Sequence, residues 1–135
     1  ARGLDVLALA PSDYLTENEI AAASFRDPAA VVNAQQQRLH IWPAEPAVAR
    51  AYLDQLRRSD VIPASRARQL TSALNRAANL LARGSGNDAT ATQLDMLAAT
   101  LTEEGSDRSG ATKSRYLALA STLAELAERL RQGER

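Results

Sequence analysis

Gln69-Leu70-Thr71-Ser72-Ala73-Leu74-Asn75-Arg76-Ala77-Ala78-Asn79-Leu80-Leu81-Ala82-Arg83-Gly84-Ser85 is the stretch whose reading decides the fold. Leu70, Leu74, Ala77, Ala78 and Leu81 recur at spacings of 4, 3, 1 and 3, the apolar stripe of a 3.6-residue period. Thr71, Ser72, Asn75, Arg76, Asn79 and Arg83 fill other positions, so the opposite face is polar. Gly84 then supplies a residue that enters the left-handed region without a Cβ penalty and stops the helix. The pattern predicts an amphipathic helix laid against other helices.

The same period governs the rest of the C-terminal part. Asn87-Asp88 reads as a cap ahead of Leu94, Leu97, Ala98 and Leu101, with Gly105 as that helix's stop and Ser106 to Gly110 as a polar loop. A last helix, about Ala111 to Gln132, is periodic through Tyr116, Leu119, Ala120, Leu123, Leu126, Ala127 and Leu130. Upstream, Pro46 opens a helix carrying Val48, Tyr52 and Leu56, and a turn from Ser59 leads to a new start at Pro63 or Ser65. Trp42-Pro43-Ala44-Glu45-Pro46 is a rigid corner, because the residue before each proline is pushed out of the α region. Asp27-Pro28 predicts a helix to about Ile41, and Thr16 with Glu19 has capping-box spacing ahead of a short helix through Ile20 and Ala23. Ala1 to Asp13 reads as an extended arm or a short helical turn. The expected architecture is a single all-α domain over 1–135. Its core is an antiparallel four-helix bundle over about 46–132, with two short N-terminal helices and an N-terminal arm packed on it.

Composition agrees with an all-α chain and narrows the function classes. Of 135 residues, 45% are hydrophobic but only 4% aromatic, much of the apolar content being alanine, the strongest helix former. The 16 basic and 16 acidic residues cancel, with 6 basic against 8 acidic over 1–60 and 10 against 8 over 61–135. Nucleic-acid binding, which needs a basic excess to neutralise phosphates, is not expected. Without cysteine there is no disulfide, zinc finger or thiol nucleophile. No run approaches the roughly 18 apolar residues of a membrane span. The leading Ala1 matches what a bacterial signal peptidase leaves, so an extracytoplasmic location, periplasmic or secreted, is the expectation.

Few residues invite chemistry. His40 and Trp42 are the only histidine and tryptophan and stand beside Glu45. They could form a general base or a ligand-stacking corner, but a lone histidine without a defined partner favours a tryptophan that plugs the bundle's end. Glu17 and Glu19 complement the dipole at a helix start. Glu103, Glu104 and Asp107 lack the six to eight oxygens and the spacing of a calcium loop, so they read as solvated surface. Arg66, Arg68, Arg76 and Arg83 lie on one helix, the last three broadly on one face; solvation explains them, with docking of an acidic partner or anionic glycan as the sharper alternative. Neither a metal nor a cofactor is expected.

Tyr52-Leu53, Leu56, Ser59-Asp60-Val61, Gln69 to Asn75, and Leu80 or Leu81 before Gly84-Ser85 together resemble the FIMAH domain, a helical module of secreted bacterial proteins. The likeness spans about Val48 to Leu130 and thins after Ser85, apart from Ala118 to Leu126. It implies a non-enzymatic appendage of an exported protein and brings no catalytic residue. The first 45 residues lie outside it, including a separate motif from Ser24-Phe25 to Trp42-Pro43. The expected function is an exported helical interaction or accessory module that docks to a larger protein or to itself. The alternative is a module for carbohydrate or cell-wall polymer built on the Trp42 corner. Candidate contact residues are Phe25, His40, Trp42, Arg68, Arg76 and Arg83.

Overall fold

The computed structural model describes residues 8–25 and 41–133, and among these the chain is all-helical. Five helices follow in order: α1 (Glu17–Ala23), α2 (Pro46–Arg58), α3 (Ala64–Ala82), α4 (Asp88–Ser106) and α5 (Gly110–Gln132). Of the expected arm over 1–13 only residues 8–13 are described, and the expected helix from Asp27 to about Ile41 lies outside the described residues except for Ile41. Ile41 itself is not helical, and Ser12 and Leu15 close a tight turn through paired backbone hydrogen bonds.

Helix ends obey local chemistry. At α1, Thr16 Oγ1 accepts from Glu19 N–H at 3.2 Å while the Glu19 carboxylate accepts from Thr16 N–H at 2.8 Å, so two orphan donors are satisfied reciprocally. Pro46 occupies the first turn of α2, where its missing N–H costs nothing. Pro63 is the N-cap of α3, whose first helical residue, Ala64, lies between the expected starts at Pro63 and Ser65. The Asn87 side chain caps α4 by accepting from Thr90 N–H at 2.7 Å. After α3, Gly84 has φ +63, and the N–H groups of Ser85 and Gly84 donate to Leu80 and Leu81 carbonyls at 3.0 Å each. This is a Schellman close. After α2 the same bonds form from Val61 to Leu56 and from Asp60 to Arg57, but the left-handed position is held by an aspartate, Asp60, at φ +51.

Gly105 corrects the sequence reading. Rather than stopping α4, it lies buried within the last helical turn, and the loop shrinks to Asp107–Ser109. A Cβ on Gly105 would meet Tyr116 Cβ at 2.8 Å. The glycine is there because α4 and α5 approach closely at this level.

The main core joins α2 to α5. Leu53, Leu56, Leu70, Leu74, Leu94, Leu101, Leu119, Leu123, Leu126 and Leu130 are buried, and alanines such as Ala73, Ala77, Ala91 and Ala127 let the helices come together. Tyr116 is fully buried, and its hydroxyl donates to Val61 C=O at 2.8 Å. Burial raises the Tyr116 hydroxyl pKa, as a phenol deprived of water resists ionisation. Of the expected α3 stripe, Leu70, Leu74 and Ala77 are buried, whereas Ala78 and Leu81 are half-buried, and Ala67 and Ala73 complete the inner face. A second, smaller cluster of Ala22, Val48 and Ala51 fastens α1 to α2, with Tyr52 packed against both clusters. Helix α1 touches α2 alone, while α2, α3 and α5 touch one another and α4 touches α3 and α5.

Candidate functional site

Two regions collect the residues singled out in the sequence. The first is the corner between α1 and α2. Glu19, besides capping α1, takes both arms of the Arg58 guanidinium, at 2.7 and 2.9 Å. The Arg58 hydrogen bond is the main reason that the Glu19 carboxyl is pushed down to about 2 from 4.5. One oxygen of Asp54 accepts from Thr16 Oγ1 at 2.9 Å and from Asn18 Nδ2 at 2.8 Å. These bonds hold α1 against α2 and leave a small pocket of about 110 Å³ lined by Ala22, Val48, Tyr52 and Trp42, with Glu19 and Gln55 at its polar edge. Trp42 is 39% exposed and Phe25 41%, while Ile41 is 88% exposed. His40 lies outside the described residues.

The second region is the outer face of α3. Its arginines, alike in sequence, part company in space. Arg66 pairs with Glu104 at 3.0 Å, and the partly covered pair keeps Arg66 Nε and Glu104 Oε2 without a hydrogen bond. That pairing corrects the reading of Glu104 as solvated surface. Arg76 donates to the side-chain oxygen of Gln93 at 3.1 Å. Arg83 is exposed just before the α3 stop. Arg68 instead lines a groove of about 660 Å³ between the end of α2 and the start of α3, which Arg57 also lines. Ile62 and Ala67 form its buried floor; Ser72 and Asn75 extend it along α3, and Asp60 also lines it. Of Arg68, Arg76 and Arg83, only Arg68 lines this groove.

The sequence reading missed Arg57, Arg58 and Asp54. A signal existed for Arg57, seven residues after Arg50 and hence on the same face of α2, but nothing local told which helix that face would meet. Among the described residues no three His, Cys, Asp or Glu side chains gather in a way that could hold a metal, and no helix is long and apolar enough to cross a membrane. Among the described residues the one carboxyl whose pKa is strongly displaced, Glu19, is displaced chiefly by its hydrogen bond to Arg58 in a structural ion pair. No family model, curated protein or solved structure matches the chain.

Proposed function

We propose that this chain is a non-enzymatic, exported helical accessory module or subunit that docks to a larger protein, with α2–α5 forming an antiparallel four-helix bundle and with FIMAH-like character over about 48–130. The bundle reading is supported by contacts that join opposite ends of neighbouring helices. Arg129, late in α5, bonds the Ala44 carbonyl and pairs with Glu45 at the head of α2, while Tyr116, early in α5, reaches Val61 past the end of α2. Arg131 pairs with Asp95 and, at 3.5 Å, with Asp88 at the head of α4. Arg66 at the start of α3 meets Glu104 near the end of α4. Among the residues that carry the FIMAH resemblance, Leu53, Leu56, Leu70, Ala73 and Leu74 are core positions, while Ser59, Asp60, Gln69, Ser72 and Asn75 are exposed.

The observation that carries the docking reading is the exposure of Phe25, Ile41 and Trp42 around the α1–α2 corner. A single exposed apolar side chain is ordinary, but Trp42 lines the α1–α2 pocket, Ile41 is its chain neighbour and Phe25 lies two residues past the end of α1, and apolar surface that water disfavours is what a partner covers. On this reading the purified chain associates with itself or is recovered with a partner, and Ile41→Lys or deletion of residues 1–13 weakens that association. Sedimentation equilibrium and co-purification measure it. Trp42 beside Glu19 and Gln55 favours the second reading, an aromatic platform with polar groups at its edge for a sugar. A monodisperse monomer that retains an oligosaccharide and loses it on Trp42→Ala selects the glycan module instead.

A further inference from the structure

We propose that the groove between α2 and α3 receives an acidic, extended segment of the docking partner, with Arg57 and Arg68 gripping its carboxylates. The proposal rests on the docking reading and names the partner's chemistry. Most arginines in the described part of the chain are already engaged. Arg58, Arg66, Arg129 and Arg131 hold carboxylates, and Arg108 lies 5.8 Å from the centre of the Tyr116 ring. The guanidinium groups of Arg57 and Arg68, by contrast, make no hydrogen bond or ion pair with any described residue, and both line the same groove. A guanidinium presents a planar fork of donors that matches a carboxylate, so two such forks in one channel select an anion with spaced acidic groups.

The rest of the lining points the same way. Asn75 accepts from Arg50 through its side-chain oxygen at 2.9 Å, which leaves its NH₂ as a donor and leaves the Arg50 charge opposed only by a neutral amide. Ser72 is exposed with an unengaged hydroxyl, whereas the Thr71 hydroxyl already donates to Ala67 C=O at 2.9 Å. Asp60 is the single carboxylate in the lining, so the two guanidinium groups of Arg57 and Arg68 outweigh one acid. The apolar floor of Ile62 and Ala67 suits an aliphatic side chain between the acids. No aromatic ring lines the groove on which a sugar could stack, which favours peptide over glycan. At about 660 Å³ the groove falls within the range of roughly 300–1,000 Å³ typical of ligand sites.

The test is an amide-resolved NMR titration of the whole chain with an alternating Glu-Leu octapeptide and with its Gln-Leu counterpart. The expected result is that the acidic peptide alone shifts Arg57, Arg68, Ser72 and Asn75, and that Arg57→Gln and Arg68→Gln each weaken it about tenfold. Asp60→Asn, which removes the one opposing charge yet tolerates a left-handed backbone, tightens binding by about two- to fivefold. Equal binding of the Gln-Leu peptide overturns the proposal, as does a shift pattern centred on Arg83 or Arg115; both leave the docking reading standing. Oligogalacturonate that reproduces the groove shifts when the peptide gives none assigns the groove to a glycan and overturns the peptide assignment. If neither probe shifts any amide and the chain is a monomer without a co-purifying protein, the docking reading fails with it.

Discussion

Replacing Gly105 by alanine puts the α4–α5 seam to the test. Gly105 sits in the last turn of α4, and a Cβ there would lie 2.8 Å from Tyr116 Cβ, 3.6 Å from Tyr116 Cγ and 3.7 Å from Leu117 Cδ2. Carbon atoms pack best at about 3.5–4.0 Å. The first contact is therefore a clash, and Tyr116 Cβ is tied to the backbone, so relief requires the two helices to part. Glycine to alanine inside a helix otherwise gains about 0.5–1 kcal/mol. Overpacking a close seam costs about 1–3 kcal/mol, so the net expectation is a loss of about 1–2 kcal/mol. For a chain of this size that lowers Tm by about 4–8 °C, read by thermal melts and confirmed by urea unfolding. Tyr116→Phe keeps the Cβ and removes only the hydroxyl bond to Val61, costing about 1 kcal/mol. Adding Gly105→Ala to Tyr116→Phe must then cost as much as it does in the parent. A Gly105→Ala protein more stable than the parent would show that the seam has room for a Cβ and would refute the close-approach reasoning.

Three further outcomes follow from the same structure. Because the Glu19 carboxyl is held at about 2 rather than 4.5, its pair with Arg58 stabilises the fold fully above about pH 4.5 and is lost as pH falls towards 2. With Arg58 a third exposed, screening reduces the contribution to about 1–2 kcal/mol. An acid titration followed by the fluorescence of Trp42, which shares a pocket with Glu19, should show this step, and Glu19→Gln should abolish it. Asp60→Gly relieves a non-glycine residue at φ +51 and should stabilise by about 0.5–1 kcal/mol in urea unfolding; a loss would refute the strain argument. Leu74→Ala opens a cavity at a fully buried position and should cost about 2–5 kcal/mol, and a cost near zero would mean that α3 is not held in the core as described.

What the sequence by itself determined is whatever a helix decides within one or two turns. The Thr16–Glu19 box, the Pro46 start, the Asn87 cap and the Gly84 close each link residues no more than five apart, and each stands in the structure where its local signal put it. The buried leucines of α4 and α5 were legible for the same reason, since a 3.6-residue period marks an inner face whatever it faces. Partners were not legible. Glycine has one sequence signature for a helix stop and for a close approach, and only Tyr116, eleven positions on, separates Gly105 from Gly84. Glu19 complements a helix dipole in any context; the tertiary fold gave it Arg58 across 39 positions of chain. Arg66, Arg68 and Arg76 share one helix and one side-chain type, yet the carboxylate of Glu104 and the amide of Gln93 take two of them and leave Arg68 lining a groove with Arg57. Local hydrogen-bond geometry is written in adjacent residues, whereas the pairing of charges waits until packing brings distant turns within reach.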